Sequence, residues 1–209
     1  MKLLVFGASG ATGRQLVTQA LARGLAVTAF VRDRTKLGIA HPQMTTVQGD
    51  VGDYDAVAGA VAGQDAVVSA LGVGAPLRHD QVVIDGVRHI VHAMTGMAVR
   101  RLVYMSFIGV GDSREDAGFV VRHIAVLPLR HEIRDHEIKE GLVTASDLDW
   151  TIVRFPTLTN GQATGVYRIG TDIAARSVLP TLSRADVADC MLRQVTDGMF
   201  VRTVLRVQP

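Results

Sequence analysis

Three glycines at a fixed spacing carry the first chemical signal. Gly7, Gly10 and Gly13 sit in the loop Gly7-Ala8-Ser9-Gly10-Ala11-Thr12-Gly13, directly after the apolar run Leu3-Leu4-Val5-Phe6 and at the start of a helical pattern. The first glycine permits a tight turn, and the second lets backbone approach a pyrophosphate with no Cβ in the way. The third allows a helix to pack closely on a strand, while free N–H groups and the helix dipole favour phosphate charge. The spacing is G-x-x-G-x-x-G rather than G-x-G-x-x-G. Gly7, Ser9, Gly10, Ala11, Thr12 and Gly13 are therefore the expected contacts to a dinucleotide.

The 2′ position of that dinucleotide is readable nineteen residues after Gly13, where Arg32 stands, followed by Asp33, Arg34 and Lys36. Folds that use NAD place an acid about 20 residues beyond the glycines, on the ribose hydroxyls. A guanidinium instead holds a 2′-phosphate bidentately and stacks on adenine, so the sequence favours NADP(H). Asp33 could instead serve the ribose. Gly49-Asp50-Val51 follows a third strand pattern and could hold adenine, with Asp50 accepting from an amino group. Ala70-Leu71-Gly72 follows a fourth, where small residues let the ribose and nicotinamide pass.

A tyrosine followed four residues later by lysine is missing. Four residues beyond Tyr54, Tyr104 and Tyr167 stand Ala58, Ile108 and Thr171, and the only lysines are Lys2, Lys36 and Lys139. Alcohol or ketone oxidation by a tyrosine acid with a lysine one helical turn on is therefore not expected. His123, His131 and His136 match no tight metal spacing, and no metal is expected. His136 reads as part of a solvated helix face, with a role as an acid the alternative. Phe107, Phe119 and Phe155 could form an aromatic wall for a flat substrate or simply pack in the core. Cys190, the one cysteine, falls in an apolar helical pattern and reads as a buried, inert thiol.

The elements that must position these residues alternate. Strand patterns at Lys2–Phe6, Ala26–Val31, Met44–Gln48, Ala66–Ala70 and Leu102–Met105 interleave with helical patterns at Arg14–Arg23, from Asp53, and at Asp80–Gly96. Helix His131–Thr144, strand Trp150–Arg154, a helix from Ser183 to Gln194 and strand Thr203–Val207 continue the series. Such alternation predicts an α/β fold: a Rossmann-type, doubly wound parallel sheet. We read residues 1–209 as one domain with a small C-terminal substrate-side region. The segment Phe107–Pro128, with glycines and mixed charges, reads as a lid.

Bulk composition agrees with this reading. The 209 residues are 48% hydrophobic, enough for a core without disulfides. Basic and acidic residues number 22 and 20 and are mixed along the chain, so a nucleic-acid surface is not expected. Four apolar residues after Met1-Lys2 are too few for a signal-peptide core, and no stretch approaches a membrane span. A cytoplasmic protein, monomer or weak homodimer, acting on a small molecule is the expectation.

Taken together, the motifs resemble the atypical short-chain dehydrogenases of the NmrA-like kind, and within them the biliverdin reductase B (flavin reductase) group. The resemblance runs over nearly the whole chain. It rests on the loop Gly7–Gly13, Val31-Arg32-Asp33, Gly49-Asp50-Val51, Gly63-Gln64-Asp65-Ala66-Val67 and Gly86-Val87-Arg88-His89-Ile90-Val91. It continues through Val103-Tyr104-Met105-Ser106, Asp149-Trp150-Thr151-Ile152-Val153-Arg154 and Asp186-Val187-Ala188. The resemblance implies that Ser106, a strand-end serine that could otherwise cap a turn, lies near nicotinamide and substrate as the catalytic residue. It implies that Pro156 and Thr157 line the nicotinamide face. Flavin reductases carry histidine after that proline, and Thr157 is a departure.

Three functions remain open on the sequence. One is an NADPH-dependent reductase of a flavin, quinone or other planar conjugated acceptor. Another is a non-catalytic NADP(H)-sensing regulator of the NmrA type. The last is a tailoring reductase or epimerase.

Overall fold

The computed structural model describes residues 1–72, 79–125 and 128–209. Its core is an eight-stranded sheet built from apolar runs too short and too β-branched to be helices. In chain order these are β1 (Lys2–Phe6), β2 (Ala26–Val31), β3 (Met44–Gln48), β4 (Ala66–Ser69), β5 (Arg101–Phe107), β6 (Asp149–Phe155), β8 (Arg168–Gly170) and β10 (Thr203–Gln208). They lie in the order β3-β2-β1-β4-β5-β6-β10-β8, all parallel except β8, which runs antiparallel to β10. A separate parallel pair joins β7 (Thr157–Thr159) to β9 (Thr181–Ser183). The order reverses between β1 and β4. In open α/β sheets that crevice, at the carboxyl ends of the strands, is where nucleotides bind.

Helices cover both faces. On one side α1 (Ala11–Ala22) and α5 (Arg184–Asp197) pack Leu16, Val17, Val187 and Met191 against Val5, Val103 and Val153. On the other, α2 (Tyr54–Val61), α3 (Gln81–Gly96) and α4 (Arg130–Thr144) pack Val57, Val87, Ile90 and Val143 against Leu4, Leu102 and Ile152. Each such fully buried aliphatic side chain contributes about 1.5–3 kcal/mol.

Caps fix where the helices begin. Asp53 accepts from the N–H groups of Asp55 and Ala56, and Asp80 from that of Val83. The Ser183 hydroxyl accepts from Asp186 N at 2.9 Å and donates to the Asp186 carboxylate at 2.7 Å. That carboxylate also accepts from Thr164 N and Gly165 N, tying the 164–165 turn to the start of α5. Asp186 is thus held ionised, its carboxyl below the usual range because these hydrogen bonds outweigh burial.

Strand and helix positions read from sequence hold, with edges shifted by one to three residues. α1 starts at Ala11 rather than Arg14, because Gly10 already serves as its N-cap. β7, β8 and β9 have three residues each, too few to show any period. The described residues of segment 107–128, read above as a lid, pack against the rest of the chain. Its residues 126–127 lie outside the described chain, but Gly118 sits against Pro180 and Val120 N donates to Val178 O.

An ion network locks this segment to the sheet. Arg154 on β6 donates to Glu140 on α4 through Nε (3.1 Å) and Nη2 (2.6 Å), and pairs with Asp112. Arg206 on β10 pairs with the same Asp112 and with Asp116 and Asp172.

Candidate active site

The glycine loop forms a cradle that side chains would fill. Gly7 has φ +76°, and a Cβ there would stand 2.6 Å from the carbonyl oxygen of Ala70, so β1 and β4 approach closely only because position 7 is glycine. A Cβ on Gly13 would stand 2.0 Å from Gly7 O, whereas one on Gly10 would meet only that same oxygen, at 3.1 Å. Beyond that one oxygen and the two flanking residues, no other atom lies within 4 Å of a Cβ at Gly10 among the described residues. No side chain caps α1 and no acid lies in its first turn, so the helix end keeps its positive potential for an anion. Ser9 and Ala11 flank Gly10 at the surface, and Thr12 is buried beneath the turn.

Beyond β2 the 2′ region separates Arg32 from Asp33. Arg32 is exposed, as are Arg34 and Lys36. Asp33 is spent on its own turn: its Oδ1 accepts from Thr35 N at 2.9 Å and from the Thr35 hydroxyl at 2.6 Å. Those bonds hold its carboxyl below the usual range. Arg14, which the sequence reading did not single out, donates to Ser9 O at 2.5 Å and reaches Lys36 O at 3.5 Å, joining the glycine loop to the basic turn.

Asp50 is exposed and turns back on Gly52 N at 2.8 Å. Val51 is buried against Gly86 of α3, so its side chain belongs to the core, and its carbonyl oxygen lies 2.9 Å from Nδ1 of His89. Ala70 donates its N–H to Phe6 O beside Gly7.

Farther along the edge, β5 and β6 overhang β4. Ser69, the last residue of β4, pairs with Tyr104, so Ser106 and Phe107 extend past it and pair with Arg154 and Phe155. The overhang forms one wall of a cleft of about 480 Å³ whose lining includes Leu71, Gly72, Met105, Phe107, Leu129, Pro156 and Thr157. Ala117, Gly118 and Pro180 also line it. Its polar groups are Ser106, His136, Glu132 and Arg184, together with Thr157.

Ser106 and His136 meet. The Ser106 hydroxyl lies 3.3 Å from Nδ1 of His136, both residues are buried, and the imidazole stands edge-on to Phe107 at 5.2 Å between ring centroids. The solvated helix face expected for His136 is therefore wrong. Burial pushes its pKa down to about 3, helped by the charge of Lys139 one turn on, so the ring is neutral. Glu132 precedes His136 by one helical turn on the same face and also lines the cleft. Burial raises its carboxyl above the usual range and Asp135 adds to this, while Lys139 opposes. A histidine and a glutamate four residues apart were the available signal, but the polar composition of this helix concealed which face was buried.

The aromatic wall reduces to one residue. Phe107 lines the cleft, Phe155 is wholly in the core, and Phe119 is exposed against His123. Tyr104 is sealed inside, its hydroxyl without a partner among the described residues and its pKa pushed up by burial. Cys190 is buried, its thiol pushed up to about 12 chiefly by burial.

A 3-2-1-4-5-6 strand order with a glycine cradle at the switch point defines a Rossmann-type nucleotide-binding protein. The chain belongs to the NAD(P)H-binding family, whose profile matches residues 7–198. It is 38% identical to a 3-beta-hydroxysteroid dehydrogenase of Mycolicibacterium neoaurum, over 49% of this chain and 31% of that protein. It is 37% identical to a 3 beta-hydroxysteroid dehydrogenase/Delta 5-->4-isomerase of Mycobacterium tuberculosis, over 50% of this chain and 31% of that protein. The chain thus spans about a third of the length of these curated relatives. In fold it is similar to the oxidoreductase ylbE of Lactococcus lactis, at TM-score 0.83 and 21% identity, over 99% of this chain and 90% of that one. It is also similar to ChuY, an anaerobilin reductase of Escherichia coli O157:H7, at TM-score 0.82 and 22% identity, over 99% and 96%. No helix among the described residues is long and apolar enough to cross a membrane.

Proposed function

We propose that the protein is an NADPH-dependent reductase that delivers hydride to a planar conjugated acceptor such as a flavin, quinone or tetrapyrrole. The observation that carries this reading is the Ser106–His136 pair in an apolar cleft at the same sheet edge as the glycine cradle. Gly7–Gly13 would hold the pyrophosphate on the uncapped start of α1, which fits an anion and no side chain. Arg32 would hold the 2′-phosphate, and the engagement of Asp33 with Thr35 supports NADP over NAD. When bound, the cofactor supplies hydride at the nicotinamide ring.

The residues of the chain do the rest. Leu71, Met105, Phe107 and Leu129 exclude water and sandwich a flat ring. A neutral His136 that donates from Nδ1 to the Ser106 oxygen brings no charge and leaves the serine O–H free to point at the acceptor. Glu132, protonated to higher pH than an ordinary carboxyl, provides a proton for an acceptor heteroatom. The names of the relatives and neighbours, a steroid dehydrogenase and an anaerobilin reductase, support redox chemistry on a ring-bearing substrate.

The test is loss of the nicotinamide absorbance of NADPH against FMN, riboflavin, quinones and dichlorophenolindophenol, beside simple aliphatic ketones. Turnover of the conjugated acceptors supports the reading. Tight NADPH binding without turnover of any acceptor would replace it with the cofactor-sensing regulator.

A further inference from the structure

Among the described residues, the cleft lining carries two charged side chains, and they come from opposite layers of the fold. Glu132 belongs to α4 and Arg184 to the first turn of α5. They do not neutralise each other, since neither forms an ion pair with any described residue. For Arg184 this is unlike the other arginines near the site. Arg154 holds two carboxylates and Arg206 three. The Arg184 guanidinium is instead fixed by neutral oxygens, with Nη1 donating to Asn160 Oδ1 at 2.8 Å and to Leu158 O at 3.4 Å. Leu158 itself lines the cleft. A guanidinium has five N–H donors, so most of its fork is left over. The ionised Asp186 of the same turn forms no ion pair with Arg184, its carboxylate being taken up by Ser183, Thr164 and Gly165.

We propose that the cleft selects an acceptor carrying an oxyanion substituent, which Arg184 binds while the conjugated ring lies against Phe107 and Ser106. This deepens the reductase reading and rests on it. A planar fork pre-positioned by Asn160 and Leu158 suits a carboxylate or a phosphate. Apolar walls around it strengthen the pair by excluding water. The substrate class is then an anionic, flat, conjugated molecule, with its charge towards α5 and its reducible edge towards α4.

The experiment compares a naphthoquinone bearing a carboxylate on a short saturated tether with the carboxamide of the same tether, so that ring potential is equal. Affinity is read by calorimetry on protein loaded with NADP⁺, and kcat/KM is read with NADPH. FMN against riboflavin forms the phosphate arm. Wild type should favour the carboxylate by about tenfold or more, as a charge-assisted hydrogen bond does. The preference should fall to about twofold or less in Arg184→Gln and partly return in Arg184→Lys, with a normal thermal melt. A preference for FMN alone assigns the oxyanion as phosphate. Equal affinity of wild type for charged and neutral partners in both arms overturns the proposal while leaving the reductase reading intact. A matching loss of NADPH affinity in Arg184→Gln also overturns it, since the residue would then serve the cofactor. Because affinity is read without turnover, absence of any turnover counts against the reductase reading and still leaves the anion preference measured.

Discussion

The Ser106 hydroxyl lies 3.3 Å from Nδ1 of His136, between the end of β5 and the buried face of α4. The ring's neutrality has a measurable consequence. Unfolded, the histidine titrates near 6.5, whereas in the fold it titrates at about 3. Below pH 6.5 the unfolded chain takes up a proton that the folded chain refuses. Its contribution to stability is therefore fully present above that pH and lost as pH falls towards 3, at up to about 1.4 kcal/mol per pH unit. Urea unfolding at about pH 6.5 and about pH 4.5 should show a smaller loss in His136→Asn than in wild type. Equal losses would mean that the imidazole is charged in the fold.

Glu132 should show the opposite dependence on pH. As a proton donor it works in its protonated form, and its pKa is raised by burial. Turnover should fall as pH rises through that value, above the ordinary carboxylate range. Glu132→Gln should lose this limb and about tenfold or more in kcat with acceptors that need a proton. An unchanged pH–rate profile in the variant would assign the limb elsewhere.

The glycines of the loop divide by what a Cβ would meet. Gly13→Ala forces an overlap with Gly7 O, and thermal or denaturant melts should show a loss of at least about 1–3 kcal/mol. Gly10→Ala meets that oxygen at 3.1 Å and otherwise open space, so it should melt near wild type while losing about tenfold in NADPH affinity. If Gly10→Ala binds NADPH as wild type does, the diphosphate does not pass over that residue.

On the proposed reading, cofactor preference rests on Arg32. Arg32→Ala should lose about ten- to hundredfold in NADPH affinity and little for NADH, since a charge-assisted contact to phosphate is removed. Fluorescence titration of both cofactors decides it. Equal affinities in wild type would return the ribose to Asp33, whose Oδ1 the fold has given to Thr35.

The glycine turn and the strands around it were legible because their signals are local. Gly7, Gly10 and Gly13 read as a strand-to-helix turn, and strands Lys2–Phe6, Ala26–Val31 and Met44–Gln48 end where their runs end. The substrate half was not legible, because it is made of contacts across the chain. Ser106 and His136 are 30 residues apart, and α4 is too polar for its buried face to show as a stripe. His136, Lys139 and Glu140 are buried although all are polar, held in part by Arg154 from β6. Arg184 and Glu132 come from helices on opposite sides of the sheet and line one cleft, which no spacing reveals.

The central claim is hydride transfer from NADPH to a conjugated acceptor in the Ser106–His136 cleft. Anaerobic mixing of NADPH-loaded protein with a naphthoquinone, followed at the nicotinamide absorbance band, tests it in a single turnover. The band should disappear far faster than in protein-free solution, with Ser106→Ala slower by about tenfold or less if the serine only orients the acceptor. Protein that binds NADPH but leaves the band decaying at the protein-free rate, with quinones and flavins alike, would contradict the account.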